Sequence, residues 1–221
     1  MTDLQNEAIE IIEKELIFGF MEEDELLEEI LETFVGEDIS VEWIGEQVVK
    51  MYRERQDEID EWDPEEANDF DRIANAFDEL AERNVIALHR PGYTTEDGIE
   101  EVTEAFKTLM ENGVRPIGYV FYHTGHLETA ISDKARLDLV FGAMTKAPSQ
   151  VRGVANLIVE TLQRYDLDAT WGGNPGDAIK INDIDWMKEP DDEDWGVERC
   201  VSIMSGDEMV QEEQEEEEDE E

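Results

Sequence analysis

The stretch NVIALHRPGYTTEDGIEEVTEAFKTLMENGVRPIGYVFYH, residues 84–123, decides the fold. It opens with a short apolar run at 85–88, as in a buried strand. From 95 to 112 the period changes. Ile99, Val102, Phe106 and Leu109 recur three and four residues apart, which predicts a helix, and Gly113 stands where that helix would end. Residues 117–122 then give a second strand, rich in aromatics. Strand, helix and strand in this order predict a right-handed crossover joining two parallel strands.

Downstream, a short helix near 127–132 leads to a third strand at 137–141. A helix over 148–165 carries Val151, Val154, Ala155, Ile158 and Leu162 on one side. Two last strands, 167–171 and 178–182, flank Gly172-Gly173-Asn174-Pro175-Gly176. That cluster signals a turn, so the pair reads as a hairpin and adds an antiparallel edge. Upstream, residues 3–83 read as four helices. Leu4, Ala8, Ile12, Leu16 and Phe20 mark the first, Leu26, Ile30 and Phe34 the second, and Ser40 caps a third that carries Ile44 and Val48. The fourth has Asp63 as cap, Pro64 at its first position, Glu66 three after the cap, and a stripe of Phe70, Ile73, Ala74, Phe77 and Ala81. The expected fold class is therefore α+β. An N-terminal helical section, residues 1–83, packs on an α/β-type domain, residues 84–190, with a mixed sheet of about five strands and flanking helices. Residues 191–206 lose periodicity and read as an irregular C-terminal extension. Residues 207–221 hold 11 acidic residues and no basic one, and read as a disordered acidic tail.

Charge restricts the partners. The 221 residues include 61 acidic and 17 basic ones, for a net charge of −44. Taking the 11 tail acids from the 61 leaves 50 against 17, so residues 1–206 still carry −33. Such a surface repels nucleic-acid phosphates and anionic membranes. No direct nucleic-acid binding and no membrane association are expected, while basic proteins and cations are attracted. Three explanations of the acidity compete: solubility in a salty cytoplasm, mimicry of nucleic acid, and docking to a basic protein. The first is the plainest, because acids are scattered over every segment. The single cysteine, Cys200, allows neither an internal disulfide nor a Cys-based zinc cluster. The N-terminus lacks a basic leader region, and no apolar run approaches the roughly 20 residues that span a bilayer. A soluble, cytoplasmic protein is expected.

Several runs carry a family likeness. Ala87-Leu88-His89, Gly92-Tyr93-Thr94, Asp97-Gly98 and Gly118-Tyr119-Val120-Phe121-Tyr122-His123 are followed by Leu139-Val140-Phe141-Gly142, Trp171-Gly172-Gly173, Ile179-Lys180-Ile181 and Trp186. In this order they resemble an uncharacterised bacterial family, domain of unknown function 6891. The resemblance covers residues 84–188, with the preceding helices a looser match. It implies a common α+β fold and brings no activity with it.

Candidate chemistry gathers at one sheet edge. His89 follows the first strand and His123 the second, so both belong at the carboxyl edge, where open α/β sheets place ligand sites. With Tyr93, Thr94, Asp97 and Tyr122 they make a candidate pocket of groups suited to proton transfer. A structural reading of the same residues is at least as strong: Thr94 or Thr95 caps a helix, Asp97 favours its dipole, and the tyrosines pack. His123 and His126 stand three apart and with Glu128 or His89 suggest a metal site. The spacing is weak evidence, and no His-Glu-x-x-His pattern is present, so no metal and no cofactor are expected. The run Asp191 to Asp194 reads as solvated charge, and Trp195, set in acid, as a residue exposed for binding. Two function classes follow. One is a non-enzymatic binding or regulatory protein that presents an acidic face to a basic protein partner. The other is a small-molecule-binding protein or enzyme with a His/Tyr/Asp site at the carboxyl edge.

A charge of −33 on residues 1–206 stores self-repulsion that salt screens. The urea midpoint should therefore rise as salt goes from about 50 to about 500 mM, and a flat curve would show that self-repulsion does not limit the stability of the fold.

Overall fold

Apolar stripes at i+4 are hidden by pairing helices, and the first three helices do this with one another. The computed structural model describes residues 1–62, 68–132 and 134–206. α1 (Asp3–Phe18) starts at a reciprocal cap: Thr2 Oγ1 accepts from Gln5 N at 3.2 Å and Gln5 Oε1 from Thr2 N at 2.9 Å. α2 (Glu23–Thr33) and α3 (Val41–Ile59), the latter capped by Ser40, bring Leu26, Ile30, Ile44 and Val48 onto Ala8, Ile12 and Leu16 of α1. α4 (Asp69–Glu82) belongs to a different layer. Its stripe of Phe70, Ile73, Phe77 and Leu80 faces the sheet. The expected start at Asp63, Pro64 and Glu66 lies outside the described residues. The described helix begins at Asp69, where Asn68 accepts from Asp71 N at 2.9 Å.

The crossover unit is present. β1 (Val85–His89) leads through α5 (Thr95–Glu111) to β2 (Gly118–Tyr122), and the two strands pair in parallel with His89 opposite Tyr122. Every residue of β1 is buried because both faces of the strand are covered. Val85, Ala87, Val120 and Tyr122 meet one layer; Ile86, Leu88 and Phe121 meet another built on α5. α6 (Thr124–Ala130), which begins three residues before its expected start, is followed by β3 (Leu137–Ala143) and α7 (Pro148–Arg164). The hairpin is formed by β4 (Asp168–Thr170) and β5 (Ile179–Asn182). Sheet order is β1-β2-β3-β5-β4, parallel at the first pair and antiparallel elsewhere. The fold class is α+β with a mixed five-stranded sheet. Among the described residues, no helix is long and apolar enough to cross a membrane.

One expectation fails. Residues 191–206 are not irregular throughout, because they contain α8 (Val197–Ser205), which packs on α5, α4 and β1 and buries Cys200. Its stripe of Val197, Cys200, Val201 and Met204 is short, and the acidic run before it hides the period. The expected disordered tail, 207–221, lies outside the described residues.

The helical section is tied to the far end of the domain through the end of α1. Gly19 closes that helix at φ 71, and a Cβ there would collide with the Lys188 carbonyl oxygen. Trp186 Nε1 donates to Phe18 O at 3.2 Å beside it. Gly36 has φ 87 but open space around it. Gly36→Ala should cost only the left-handed penalty, about 1 kcal/mol, whereas Gly19→Ala should cost roughly twice that or more in urea unfolding. Equal losses would show that the α1–Lys188 contact contributes nothing.

Candidate functional site

The turn after β1 builds the site. Arg90 has a positive φ of 49, uncommon for a side chain of its size, and its contacts hold it there. Its Nη2 donates to Glu15 Oε1 of α1 at 2.6 Å and its Nε to Thr124 Oγ1 at 3.2 Å, while the guanidinium lies 4.9 Å from the Phe18 ring centre. Thr124 in turn donates to Gly92 O at 3.0 Å. Burial pushes the Glu15 carboxyl up, against the pull of Arg90.

The six candidates of the sequence separate into groups. His89 and Tyr122 meet: Nδ1 and Oη are 2.8 Å apart, both buried. The imidazole is enclosed by Phe77, Trp195 and Phe70, with ring centres at 4.7, 5.4 and 5.6 Å. Burial, with Arg199 and Lys188 nearby, pushes its pKa down to about 3, so the ring is neutral. Burial raises the Tyr122 phenol, which stays protonated. Thr94 and Asp97 form a reciprocal cap on α5. Asp97 accepts from Thr94 N at 2.8 Å and Tyr93 N at 3.1 Å, and the Thr94 hydroxyl, together with these two amides, lowers its pKa. His123 is elsewhere, its Nε2 3.3 Å from Thr95 Oγ1 and its ring stacked on His126 at 3.7 Å. Burial depresses both of these histidines. Among the described residues, no three metal-ligating side chains come together.

Of the six, only His89 and Tyr93 line a cleft beside this turn, which has a volume of about 630 Å³. Arg90 and Thr124 share its floor with His89, and Phe20, Tyr93 and Trp195 supply aromatic walls. Glu22, Asp24, Glu25 and Glu29 stand on the α2 side; Asp191, Asp192, Glu193 and Asp194 stand opposite. Some of these acids are engaged. Asp191 accepts from Lys188 Nζ at 2.9 Å and from Trp195 Nε1 at 2.7 Å, and Glu193 pairs with Arg199 at 2.9 Å. Asp194 takes the amides of Gly196 and Arg199. Among the described residues, no basic side chain pairs with Glu22, Asp24, Glu25 or Asp192.

Sequence reasoning missed Glu15, Arg90, Phe20 and the acidic wall at 191–194. Arg90 reads as part of an ordinary turn and the acids as solvated charge. Trp195 is partly buried rather than exposed, yet it does face the cleft.

The family model described as Domain of unknown function (DUF6891) matches residues 1–190, and so takes in the helical section along with the sheet. No curated protein and no solved structure matches the chain.

The depressed His89 gives a pH test. Above the ordinary value of 6.5 both folded and unfolded chains hold the ring neutral. Below it the unfolded chain takes up a proton that the folded one refuses, so this stability is lost as pH falls toward 3. From about pH 7 to about pH 5, wild type should lose about 2 kcal/mol relative to His89→Gln, whose carboxylates titrate alike. A constant difference between the two proteins would show that the folded ring is protonated as readily as the unfolded one.

Proposed function

The chain belongs to the family described as Domain of unknown function (DUF6891), so its role has to be read from its own cleft, and we propose that it is a non-enzymatic binding or regulatory protein that takes up a basic segment of a protein partner. The observation that carries this reading is the lining of the cleft. Eight carboxylates surround three aromatic rings, and the one arginine in the lining is already paired with Glu15. A lysine or arginine side chain suits such a lining at both ends. Its charge meets carboxylates and its aliphatic stem lies on the rings.

The protein handles its own cations in the same way. Lys188 is buried with Nζ 4.7 Å from the Phe70 ring centre, 5.0 Å from Trp195 and 5.1 Å from Phe20, with Asp191 as counter-ion. The Arg199 guanidinium lies 4.6 Å from the Trp195 ring centre. Two of these rings, and Asp191, also face the cleft.

The enzyme reading lacks an assembled constellation. His123 does not line the cleft that His89 lines, Asp97 is consumed as a cap, and Tyr122 lies behind His89. A small organic cation is the second reading, because the cleft volume also falls in the range of small-molecule sites. A cytoplasmic setting belongs to the same proposal, and the free, buried thiol of Cys200 agrees with it.

Exposed ion pairs are individually worth about 0–1 kcal/mol, so affinity here should be additive and sensitive to salt. Calorimetry with a lysine-rich peptide should give binding that weakens about tenfold or more between about 50 and about 300 mM salt. Glu25→Lys with Asp192→Lys should weaken it by a further factor of about ten, while Glu111→Lys with Glu160→Lys, which removes equal charge far from the cleft, should do much less. Equal losses in the two double variants would refute a localised site.

A further inference from the structure

One residue of the cleft lining carries a buried polar atom that has no partner among the described residues. His89 is 5% exposed and lines the cleft, and its Nε2 is buried with no hydrogen bond from any described residue. What Nε2 lacks depends on which ring nitrogen holds the proton, and Tyr122 decides that. The phenol is fully buried, and its one hydrogen-bond partner among the described residues is His89 Nδ1 at 2.8 Å. If Nδ1 carried the proton and donated to Oη, two groups would go unmet, the phenol O–H and the Nε2 lone pair. If the phenol donates to Nδ1, only Nε2–H goes unmet. Buried polar groups without partners are costly, so the second arrangement prevails. The ring is neutral and carries its proton on Nε2, which makes that atom a donor in want of an acceptor.

We infer that His89 Nε2–H donates to a main-chain carbonyl oxygen of the bound segment, with Tyr122 as the positioning residue that fixes the tautomer, so that the ligand class of the cleft is a basic peptide and not a polyamine. This rests on the reading of the cleft as a cation-binding site. An anionic acceptor is repelled by the rim, where Glu22, Asp24, Glu25 and Asp192 pair with no basic side chain among the described residues. The acceptor must then be neutral while the ligand as a whole is positive. A protonated polyamine has N–H donors and no acceptor to offer. A peptide rich in lysine has both, with its carbonyl at the floor and its ammonium groups at the rim. Less than 1 Å² of Nε2 is open to solvent, so seating the oxygen requires a ring packed on the imidazole to give way, and of the three only Trp195, edge-on with centres 5.4 Å apart, also lines the cleft. The Trp195 indole N–H, now bonded to Asp191 at 2.7 Å, reports that displacement.

The test compares N-acetyl tetralysine amide with spermine, two ligands of the same charge, on the full chain labelled with ¹⁵N. In the free protein the His89 ring, assigned by difference with His89→Gln, should show the proton on Nε2. The peptide should bind about tenfold more tightly than spermine and should move the His89 Nε2–H and Trp195 indole resonances, whereas spermine should leave His89 in place. Tyr122→Phe should release the tautomer and cut the affinity for peptide several-fold with spermine unaffected; it keeps the ring packing, so it serves if His89→Gln fails to fold. The inference is overturned if Nδ1 holds the proton, if the two ligands bind alike, or if the peptide leaves the His89 signals unmoved. Equal binding of both ligands would leave the cation cleft standing and remove only the role of His89. Binding of neither would remove both.

Discussion

One largely buried ion pair holds the site together. Glu15 comes from α1 and Arg90 from the turn after β1, 75 residues apart in the chain, and their side chains are 6% and 10% exposed. A pair so placed returns little net stability, because both charges lost their water, but removing one partner strands the other at a cost of about 3–5 kcal/mol. It acts as a constraint more than as a source of energy. Arg90 is held at positive φ, Thr124 is engaged by its Nε, and the first helix is fixed against the sheet edge where His89 sits. Without that docking, α2 and its acids would not face the loop at 191–196, and no cleft would form between them.

Against this fixed floor the walls are electrostatic. The whole chain is acidic, so acidity alone selects nothing. What distinguishes the cleft is that its acids converge from two elements far apart in sequence onto aromatic rings. Exposed carboxylates elsewhere raise the general negative field, which steers cations toward the protein. Within the cleft the same charges have low-dielectric walls beside them, where their attraction for a cation is stronger. Lys188, sealed among Phe20, Phe70 and Trp195, shows that these side chains accommodate an ammonium group.

Most of the fold was legible because it is local. The switch of period between 84 and 123 marks β1, α5 and β2, and Gly172 to Gly176 marks the hairpin. α8 escaped because a nine-residue stripe behind four acids does not stand out from them. The site was half legible. His89 and Tyr122 end neighbouring parallel strands in register, so their contact follows from topology. His123, one residue further, caps α6 and turns to Thr95 and His126, which alternation along a strand foreshadows. Nothing local joins Glu15 to Arg90, or Trp195 to His89; those contacts exist only once the helical section and the C-terminal segment have docked.

The central claim, that a cationic segment is held at one place on a uniformly acidic protein, is tested most directly by mapping amide shifts as a lysine-rich peptide is titrated into ¹⁵N-labelled protein. The account predicts saturable changes confined to the α2 side at Glu22 to Glu29, the turn at Arg90 to Tyr93, and the loop at Asp191 to Gly196. Shifts spread evenly over α3, α5 and α7, growing without saturation, would mean that the peptide merely condenses on the charge and would contradict it.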